Sequence, residues 1–532
     1  MAEITSGREA DIAALAQGQF DVLVIGGGIT GAGILLEAVS RGYRAALVEK
    51  SDFASATSSA SSKLIHGGLR YLAQGDIGLV HESLRERALL LHNAPGIVRP
   101  LDFVIPLSQD GYWKQRLEYG TALWAYDLAA GYRVQRRHRS ISSPRVKSML
   151  PHLDTSTMKS AFLYRDAQGD DVRLTLSVIA SAQERGALAL NYVRAEGVSD
   201  IALGQMGAVA VASRNPADAP SYRAGFEVRT RCVVSATGIE AADFLDSGPL
   251  AIRPAQGVHL AFAQRDLPAK VGAVIGVPGE SRTVFVLPWG SYTYVGTTDT
   301  DMEGSIPATA SSDINYLLDA LNANLTRGLR RDDITGAWVG ARPLITHKAP
   351  SAARLRPTRE LSRRHQIVRA RSGVISALGG KLTDFRQMAQ DAVNAVDTAL
   401  GRKTKSVSRQ MPLEGTALVQ PPPKEYFDLY LRYGNRYTEV LPFLRHKPIA
   451  VGPWTLDEGE IAYFVRHEAA LTLSDVLLRR LRVGIFDQAA AKAMAPAVNA
   501  VLAGMVGLTT DQVRLGQEEF LASLVRNLPN LA

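Results

Sequence analysis

The sequence predicts a mixed α/β fold: a mosaic of a Rossmann-like nucleotide-binding unit, an antiparallel sheet and a helical C-terminal region. Three observations carry this. Residues 20–50 read as strand, glycine-rich turn, helix and second strand. Residues 253–300 alternate apolar and polar side chains between turn signals, as an antiparallel sheet requires. Beyond a linker of proline and small residues from Pro412 to Pro423, the pattern is helical to the end, with no dependable strand signal.

The first unit is the most informative. Phe20-Asp-Val-Leu-Val-Ile is a short β-branched run of the kind that forms a buried parallel strand, and it breaks at Gly26-x-Gly28-x-x-Gly31 into a helical pattern. Gly26 permits the tight turn, Gly28 lets backbone approach a pyrophosphate, and Gly31 lets helix and strand pack closely. The new helix directs its free N–H groups and positive dipole end at the phosphates. A second strand, Ala45-Ala-Leu-Val, ends in Glu49, whose carboxylate would accept from ribose hydroxyls. The early position and the terminal Glu fit FAD at least as well as NAD.

Further along, residues 53–75 are polar and glycine-rich, and a helical pattern follows through about Leu91. Residues 226–238 read as one strand running into Thr237-Gly238, and residues 367–380 as another ending in Gly379-Gly380, with a helix from about Thr383.

Composition sets outer bounds. At 532 residues, two or three domains are expected. One cysteine, Cys232, excludes a disulfide framework and a cysteine metal site, and points to a reducing compartment. No uninterrupted apolar run approaches the roughly 20 residues needed to cross a bilayer. Residues 1–19 contain Glu3, Glu9 and Asp11 and lack an apolar core, so neither a secretory signal nor a transit peptide is expected. The net charge of +8 suits an anionic substrate, an anionic lipid surface or nucleic acid, and alone does not choose among them.

The run Ser61-Ser-Lys-Leu-Ile-His-Gly-Gly-Leu-Arg-Tyr-Leu72 resembles the signature of FAD-dependent glycerol-3-phosphate dehydrogenases. The likeness continues through Phe285-Val-Leu-Pro-Trp289, Gly296-Thr-Thr-Asp-Thr300, Gly340-Ala-Arg-Pro-Leu344, Gly379-Gly-Lys-Leu-Thr383 and Ser474-Asp-Val-Leu-Leu-Arg-Arg480, in family order over most of the chain. The resemblance implies a fold like D-amino-acid oxidase. An N-terminal extension (1–19) would precede an FAD-binding domain over 20–410, interleaved with an antiparallel substrate domain (about 76–160 and 253–365). An all-α cap would occupy 411–532. It implies oxidation of sn-glycerol 3-phosphate to dihydroxyacetone phosphate by hydride transfer to flavin N5. Electrons would pass to ubiquinone or menaquinone, in a homodimer held peripherally at the inner face of the cell membrane.

The implied FAD contacts follow the motifs. The first turn supplies Gly26, Gly28, Ile29, Thr30 and Gly31, and the second strand supplies Glu49 and Lys50. The serine-rich loop and its sequel supply Thr57, Ser58, Ser62, Lys63, Leu64, Gly68 and Leu69. Val193, Ala236, Thr237 and Gly238 close the nucleotide side, and Gly380, Lys381, Leu382 and Thr383 face the flavin. No metal is implied.

Flavin oxidation of a secondary alcohol needs the carbinol hydrogen facing the flavin, a base for the hydroxyl proton, and positive charge near the reduced ring. A phosphorylated substrate adds a cationic anchor, which arginine forks supply best. The resemblance assigns the phosphate to Arg342 and Arg363, with Arg70 and Tyr71 also at the substrate. Spacing alone reads the two arginines equally as solvated surface residues. His259 is the favoured base, with Lys381 and Arg70 polarising substrate oxygens. The His259 and Lys381 roles are exchangeable, and a lone histidine in an apolar strand is also simply a packed one. The chain departs from the family at Ile239, at Gln256 and at Asp384-Phe385, all near the implied site, so another polyol phosphate or hydroxy-acid phosphate stays open.

Trp113, Leu117, Leu123, Trp124 and Leu128 can line one side of a helix, with Lys114 and Arg116 at its start and Arg133, Arg136, Arg137 and Arg139 after it. Aromatics flanked by cations suit a membrane interface, and a core-packed helix beside a solvated loop gives the same pattern. A soluble oxidase using oxygen is the main alternative. Nucleic acid binding has only the net charge behind it, because no recognised module appears.

Overall fold

A computed structural model describes residues 2–69, 76–131, 136–198, 204–213, 225–245, 250–280, 282–302, 304, 306–347, 363–416 and 422–529, with side chains from residue 7 onward. The class is the mixed α/β mosaic the sequence predicts.

The nucleotide-binding layer is a six-stranded sheet in the order Gln366–Arg369, Ile375–Leu378, Val233–Ser235, Val22–Ile25, Ala45–Val48, Leu188–Leu190. All pairs are parallel except the outer hairpin Gln366–Arg369/Ile375–Leu378. Val22–Ile25 and Ala45–Val48 are buried at every position, which is why both read as unbroken apolar runs. The helix Ile29–Ser40 packs on this sheet against the helices Asp171–Gln183 and Phe385–Leu400. In Phe385–Leu400 the buried residues Phe385, Met388, Ala389, Ala392, Val393 and Val396 recur at helical spacing along one face. Gly33 allows the close approach, since a Cβ there would sit 2.8 Å from the Phe385 ring.

A ten-stranded sheet forms the second layer, and Leu250–Ala263 and Ile334–His347 pair antiparallel along its edge from Leu250↔His347 to Phe262↔Ile334. The antiparallel reading of 253–300 is met by Leu250–Ala263, Gly272–Gly276, Thr283–Trp289 and Tyr292–Gly296.

Several elements differ from expectation. Residues 226–238 form two strands rather than one: Phe226–Thr230 lies in a separate four-stranded sheet and Val233–Ser235 in the parallel sheet. The expected strand at 367–380 is a hairpin turned at Gly373, whose φ is +89°. The N-terminal extension is a helix, Ala2–Gln17. The C-terminal region carries a small hairpin, Pro448–Val451 with Trp454–Asp457, turned at Gly452. Residues 417–421 of the expected linker lie outside the described residues.

The C-terminal helices own a core built around Phe464, Leu477, Met494, Val498, Leu502 and Phe520. Gln488–Val506 is long and apolar enough by composition to cross a membrane, yet half of it is buried in this core. The region docks on the nucleotide layer through buried charge. Arg479 Nε donates to Asp52 Oδ2 at 2.5 Å, Arg480 Nη2 to Asp52 Oδ1 at 2.9 Å, and Arg482 Nη2 to Asp171 Oδ1 at 2.7 Å.

Candidate active site

A cavity of about 870 Å³ runs along the C-terminal ends of the parallel strands, where open α/β sheets bind ligands. Its nucleotide end is shaped by glycine. Gly26 has φ +110°, and a Cβ there would lie 2.6 Å from the Ala236 carbonyl oxygen. A Cβ on Gly31 would lie 1.9 Å from the Gly26 carbonyl oxygen, so neither position tolerates a side chain. The Ile29 N–H, at the start of the helix, donates to Ser58 Oγ at 2.9 Å. Glu49 accepts from the Gly27 N–H at 2.7 Å and the Ser51 N–H at 2.8 Å. Burial pushes its carboxyl up from the ordinary value, and these two N–H groups oppose the rise.

Of the residues expected at the cofactor, Gly26, Gly28, Ile29, Thr30, Glu49, Lys50, Thr57, Ser58, Val193, Ala236, Thr237, Gly238, Gly380, Lys381 and Leu382 line this cavity. Thr57 Oγ1 ties the serine-rich loop to the far wall by donating to the Ala341 carbonyl at 2.6 Å. The family likeness places Lys63 at the cofactor. It is fully buried, its ammonium lies 3.3 Å from Asp171 Oδ2 and 4.6 Å from the Trp338 ring centroid, and it does not line the cleft. Burial and Arg482 bring its pKa down to about 8. Lys63 and Arg482 grip one carboxylate, so this lysine anchors the C-terminal region beneath the cleft. Leu64 is buried in a strand pairing with Met158–Gly169, and Thr383 Oγ1 accepts from the His66 N–H at 3.2 Å. Leu64 and Leu69 pack in the apolar cluster around Phe103 and Tyr164, and Gly68 is buried.

The residues expected at the substrate lie on and beside the paired strands of the ten-stranded sheet. Arg342 lies between the cleft-lining residues Ala341 and Pro343. Its Nη2 donates to Thr297 Oγ1 at 3.0 Å and its Nη1 to the Gln256 carbonyl at 3.3 Å. Gly257 makes room, since a Cβ there would meet the guanidinium at 2.4 Å. Asp299 joins the two expected phosphate anchors: one carboxylate oxygen is 3.5 Å from Arg342 and the other 3.4 Å from Arg363. Sequence reasoning missed Asp299, although it sits in the quoted Gly296-Thr-Thr-Asp-Thr300 block.

Lys381 donates to Ser83 Oγ at 2.5 Å and pairs with Asp384 at 3.3 Å. Asp384, a departure from the family pattern, is therefore the lysine's buried partner. Burial raises its pKa and Lys381 opposes the rise. Ile239, another departure, lines the cleft, and Gln256, the third, serves Arg342 through its carbonyl.

His259 is 2% exposed and does not line the cleft. Its ring stacks on Trp338 with centroids 4.9 Å apart, and its Nε2 shares a 2.8 Å hydrogen bond with Ser62 Oγ. Nδ1 is buried and has no hydrogen-bond partner among the described residues. Burial first, then Lys63 and Arg342, holds its pKa well below the ordinary histidine value, so the ring is neutral. Ser62 is thus the hydrogen-bonded neighbour of the expected base. Arg70 and Tyr71 lie outside the described residues.

A glycine-shaped cleft at the ends of a parallel sheet, beside an antiparallel sheet, is the architecture of a dinucleotide-binding oxidoreductase. Comparison with known proteins agrees. Residues 21–386 match the family model of FAD-dependent oxidoreductases (DAO), and residues 391–513 match the C-terminal domain of alpha-glycerophosphate oxidase. The chain belongs to this FAD-dependent oxidoreductase family. It is 37% identical over 504 residues to glycerol-3-phosphate dehydrogenase 1 of Mycobacterium tuberculosis, covering 90% of this chain and 94% of that one. It is 33% identical to the mitochondrial glycerol-3-phosphate dehydrogenase of Macaca fascicularis, covering 92% of this chain and 71% of that one. The solved glycerol-3-phosphate dehydrogenase of Bacillus halodurans complexed with FAD superposes with a TM-score of 0.78 at 26% identity, covering 99% and 98% of the two chains. FAD fits the cleft seen here: the two side-chain-intolerant glycines bracket the pyrophosphate turn, and Glu49 stands at the end of the second strand.

Proposed function

We propose that the chain oxidises sn-glycerol 3-phosphate to dihydroxyacetone phosphate and hands the two electrons to a membrane quinone. The single observation behind this is the pair Arg342 and Arg363, both held by Asp299 beside the cleft. Arginine forks are the side chains best suited to hold a phosphate dianion.

FAD held in this cleft would supply the two-electron acceptor for the carbinol hydrogen. The protein supplies the rest. His259 serves as the base for the hydroxyl proton, relayed through Ser62 Oγ, which lies 2.8 Å from its Nε2. Lys381, oriented by Ser83 and Asp384, places an ammonium at the flavin end of the cleft, where it favours charge on the substrate oxygen and the reduced ring. Arg70 and Tyr71 complete the substrate set on the strength of their motif. Loss of the O–H proton and of the C–H hydride leaves the ketone, and two electrons pass on with two protons to the acceptor.

A membrane acceptor is supported by the helix Tyr112–Ala130. Trp113 is 73%, Leu117 70%, Trp124 60% and Leu128 82% exposed, spaced to share one side of the helix, with exposed Lys114, Arg136, Arg137 and Arg139 nearby. Leu123, expected on the same side, is buried instead and packs against the sheet. Reversing the charge of Arg136, Arg137 and Arg139 is expected to release the enzyme from anionic vesicles in a sedimentation assay, and unchanged binding would remove the membrane reading. The acceptor is tested by reoxidation of the reduced enzyme: a quinone analogue should outpace oxygen with little peroxide formed. Fast reoxidation by oxygen with stoichiometric peroxide would make the protein an oxidase.

A further inference from the structure

Asp384 follows the Gly379-Gly380-Lys381 turn and takes the N-cap position of the helix Phe385–Leu400. An aspartate there ordinarily accepts from the free N–H groups of its helix. This one makes no such cap hydrogen bond. Its carboxylate pairs instead with Lys381, a residue of the cleft lining, whose ammonium lies 3.3 Å from Oδ2. Ser83 provides a second link between the two. Its Oγ accepts from Lys381 at 2.5 Å and donates to the same Oδ2 at 3.3 Å.

As scaffolding this pair is a poor stabiliser. Asp384 is 2% exposed, and its Oδ1 has no hydrogen-bond partner among the described residues. A buried ion pair left incompletely bonded adds little to stability, because desolvation cancels most of the attraction. Neighbouring carboxylates are engaged elsewhere. Glu86 is gripped by Arg386 through Nε at 2.6 Å and Nη2 at 2.8 Å, and Asp391 lies 2.9 Å from His365 Nε2. The Glu82 carboxyl is pushed up by burial and then by the charge of Asp384. Asp384 is thus a buried counter-charge that the fold brings against a lysine of the cleft.

We infer that Asp384 is a positioning residue that sets the reduction potential of bound FAD, by holding Lys381 and tempering the positive charge this lysine presents to the flavin. The inference rests on the placement of Lys381 at the flavin end of the cleft proposed above. A cation beside the ring favours its reduced form, and a carboxylate against that cation withdraws part of the advantage. Opposite charges in contact largely cancel at the distance of a third group, so the field of the pair falls well below that of the lone ammonium. The flavin of this chain is therefore held at a lower potential than Lys381 alone would give it, and passes its two electrons on more readily.

The test is the midpoint potential of the purified, FAD-loaded protein, measured by equilibration with a reference dye in the absence of substrate. Asp384→Asn keeps the shape and removes the charge. The potential should rise by about 30 mV or more, the two-electron equivalent of a tenfold change in the equilibrium. Asp384→Ser should move it the same way, with flavin content unchanged in both, and it decides should Asp384→Asn fail to fold. In a Lys381→Met background a lone buried carboxyl takes up a proton rather than stay charged. Adding Asp384→Asn there should leave the potential where Lys381→Met alone puts it. A potential unchanged or lowered in the single variants, or an equal rise without Lys381, would overturn the inference. Loss of FAD from both single variants would overturn it too, by making Asp384 a structural support. Because no substrate is present, failure of sn-glycerol 3-phosphate to reduce the flavin leaves this readout intact, and an unchanged potential leaves the substrate reading intact.

Discussion

The FAD cleft and the junction that docks the C-terminal helices on it are neighbours built on opposite principles. The cleft is shaped by what is missing: Gly26 and Gly31 admit no Cβ, and the helix beginning at Ile29 presents backbone N–H groups. The junction is shaped by what is added, a chain of buried charges running through Asp52, Arg479, Arg480 and Asp475, and through Lys63, Asp171 and Arg482. The difference teaches that local chain geometry specifies a nucleotide site, whereas joining two separately cored regions takes long-range pairs whose partners must all be present. Arg479 belongs to both, since it grips Asp52 and lines the cleft.

The largest expected effect lies at the junction. Asp52→Ala leaves Arg479 and Arg480 buried without their carboxylate, a loss of about 3–5 kcal/mol for a broken buried pair. Thermal unfolding should shift down by several degrees and bound flavin should fall, because Arg479 loses its tether. An unchanged melting curve would mean the junction is held by apolar packing alone.

His259→Ala tests the cleft side next. Removal of a general base typically costs about 10²–10⁴ in rate, so stopped-flow flavin reduction should slow by at least about a hundredfold with flavin content intact. Unchanged kinetics would transfer the base role to Lys381. Arg342→Lys keeps the charge but loses the fork to Thr297 and Asp299, and KM for sn-glycerol 3-phosphate should rise about tenfold to a hundredfold, as expected for hydrogen bonds between charged groups. A rise confined to kcat would contradict a phosphate-anchoring role.

The smallest effect is one of pH. The folded-state pKa of His259 is lowered, so below the ordinary value near 6.5 the unfolded chain binds a proton that the folded chain refuses. Stability contributed by keeping this ring neutral is therefore intact above about pH 6.5 and is lost as pH falls below it. His259→Asn should flatten that part of the acid limb in urea titrations run between neutral and mildly acidic pH. An identical limb would show that other groups carry it.

How much of this was legible follows from the same contrast. The first strand, turn and helix were readable because every requirement falls within some thirty residues, from Val22 to Glu49. The ring of functional groups was readable as residues and not as an arrangement. Arg342 stood in a recognisable block and Arg363 was assigned by resemblance, but only the fold brings Asp299 between them, and only the pairing of Leu250–Ala263 with Ile334–His347 lays His259 against Trp338. Phe226–Ser235 misread as one strand because only Arg231-Cys232 separates its two extended halves. The signal that separates them was present: Phe226-Glu-Val-Arg-Thr alternates, as a half-exposed strand does, while Val233-Val-Ser is continuously buried. The hairpin Pro448–Asp457 was hidden in a helical region, although Gly452-Pro453 marks its turn. The junction was out of reach, because Asp52 and Arg480 are 428 residues apart in the chain.

The central claim is that the Arg342–Arg363 pair selects a phosphate ester for oxidation by the flavin. Its most direct test is anaerobic mixing of the FAD-loaded protein with sn-glycerol 3-phosphate and, separately, with glycerol, while following flavin absorbance. The account predicts rapid bleaching by the phosphate ester and none by glycerol at the same concentration. Flavin that stays oxidised with sn-glycerol 3-phosphate, or bleaches equally with glycerol, would contradict it.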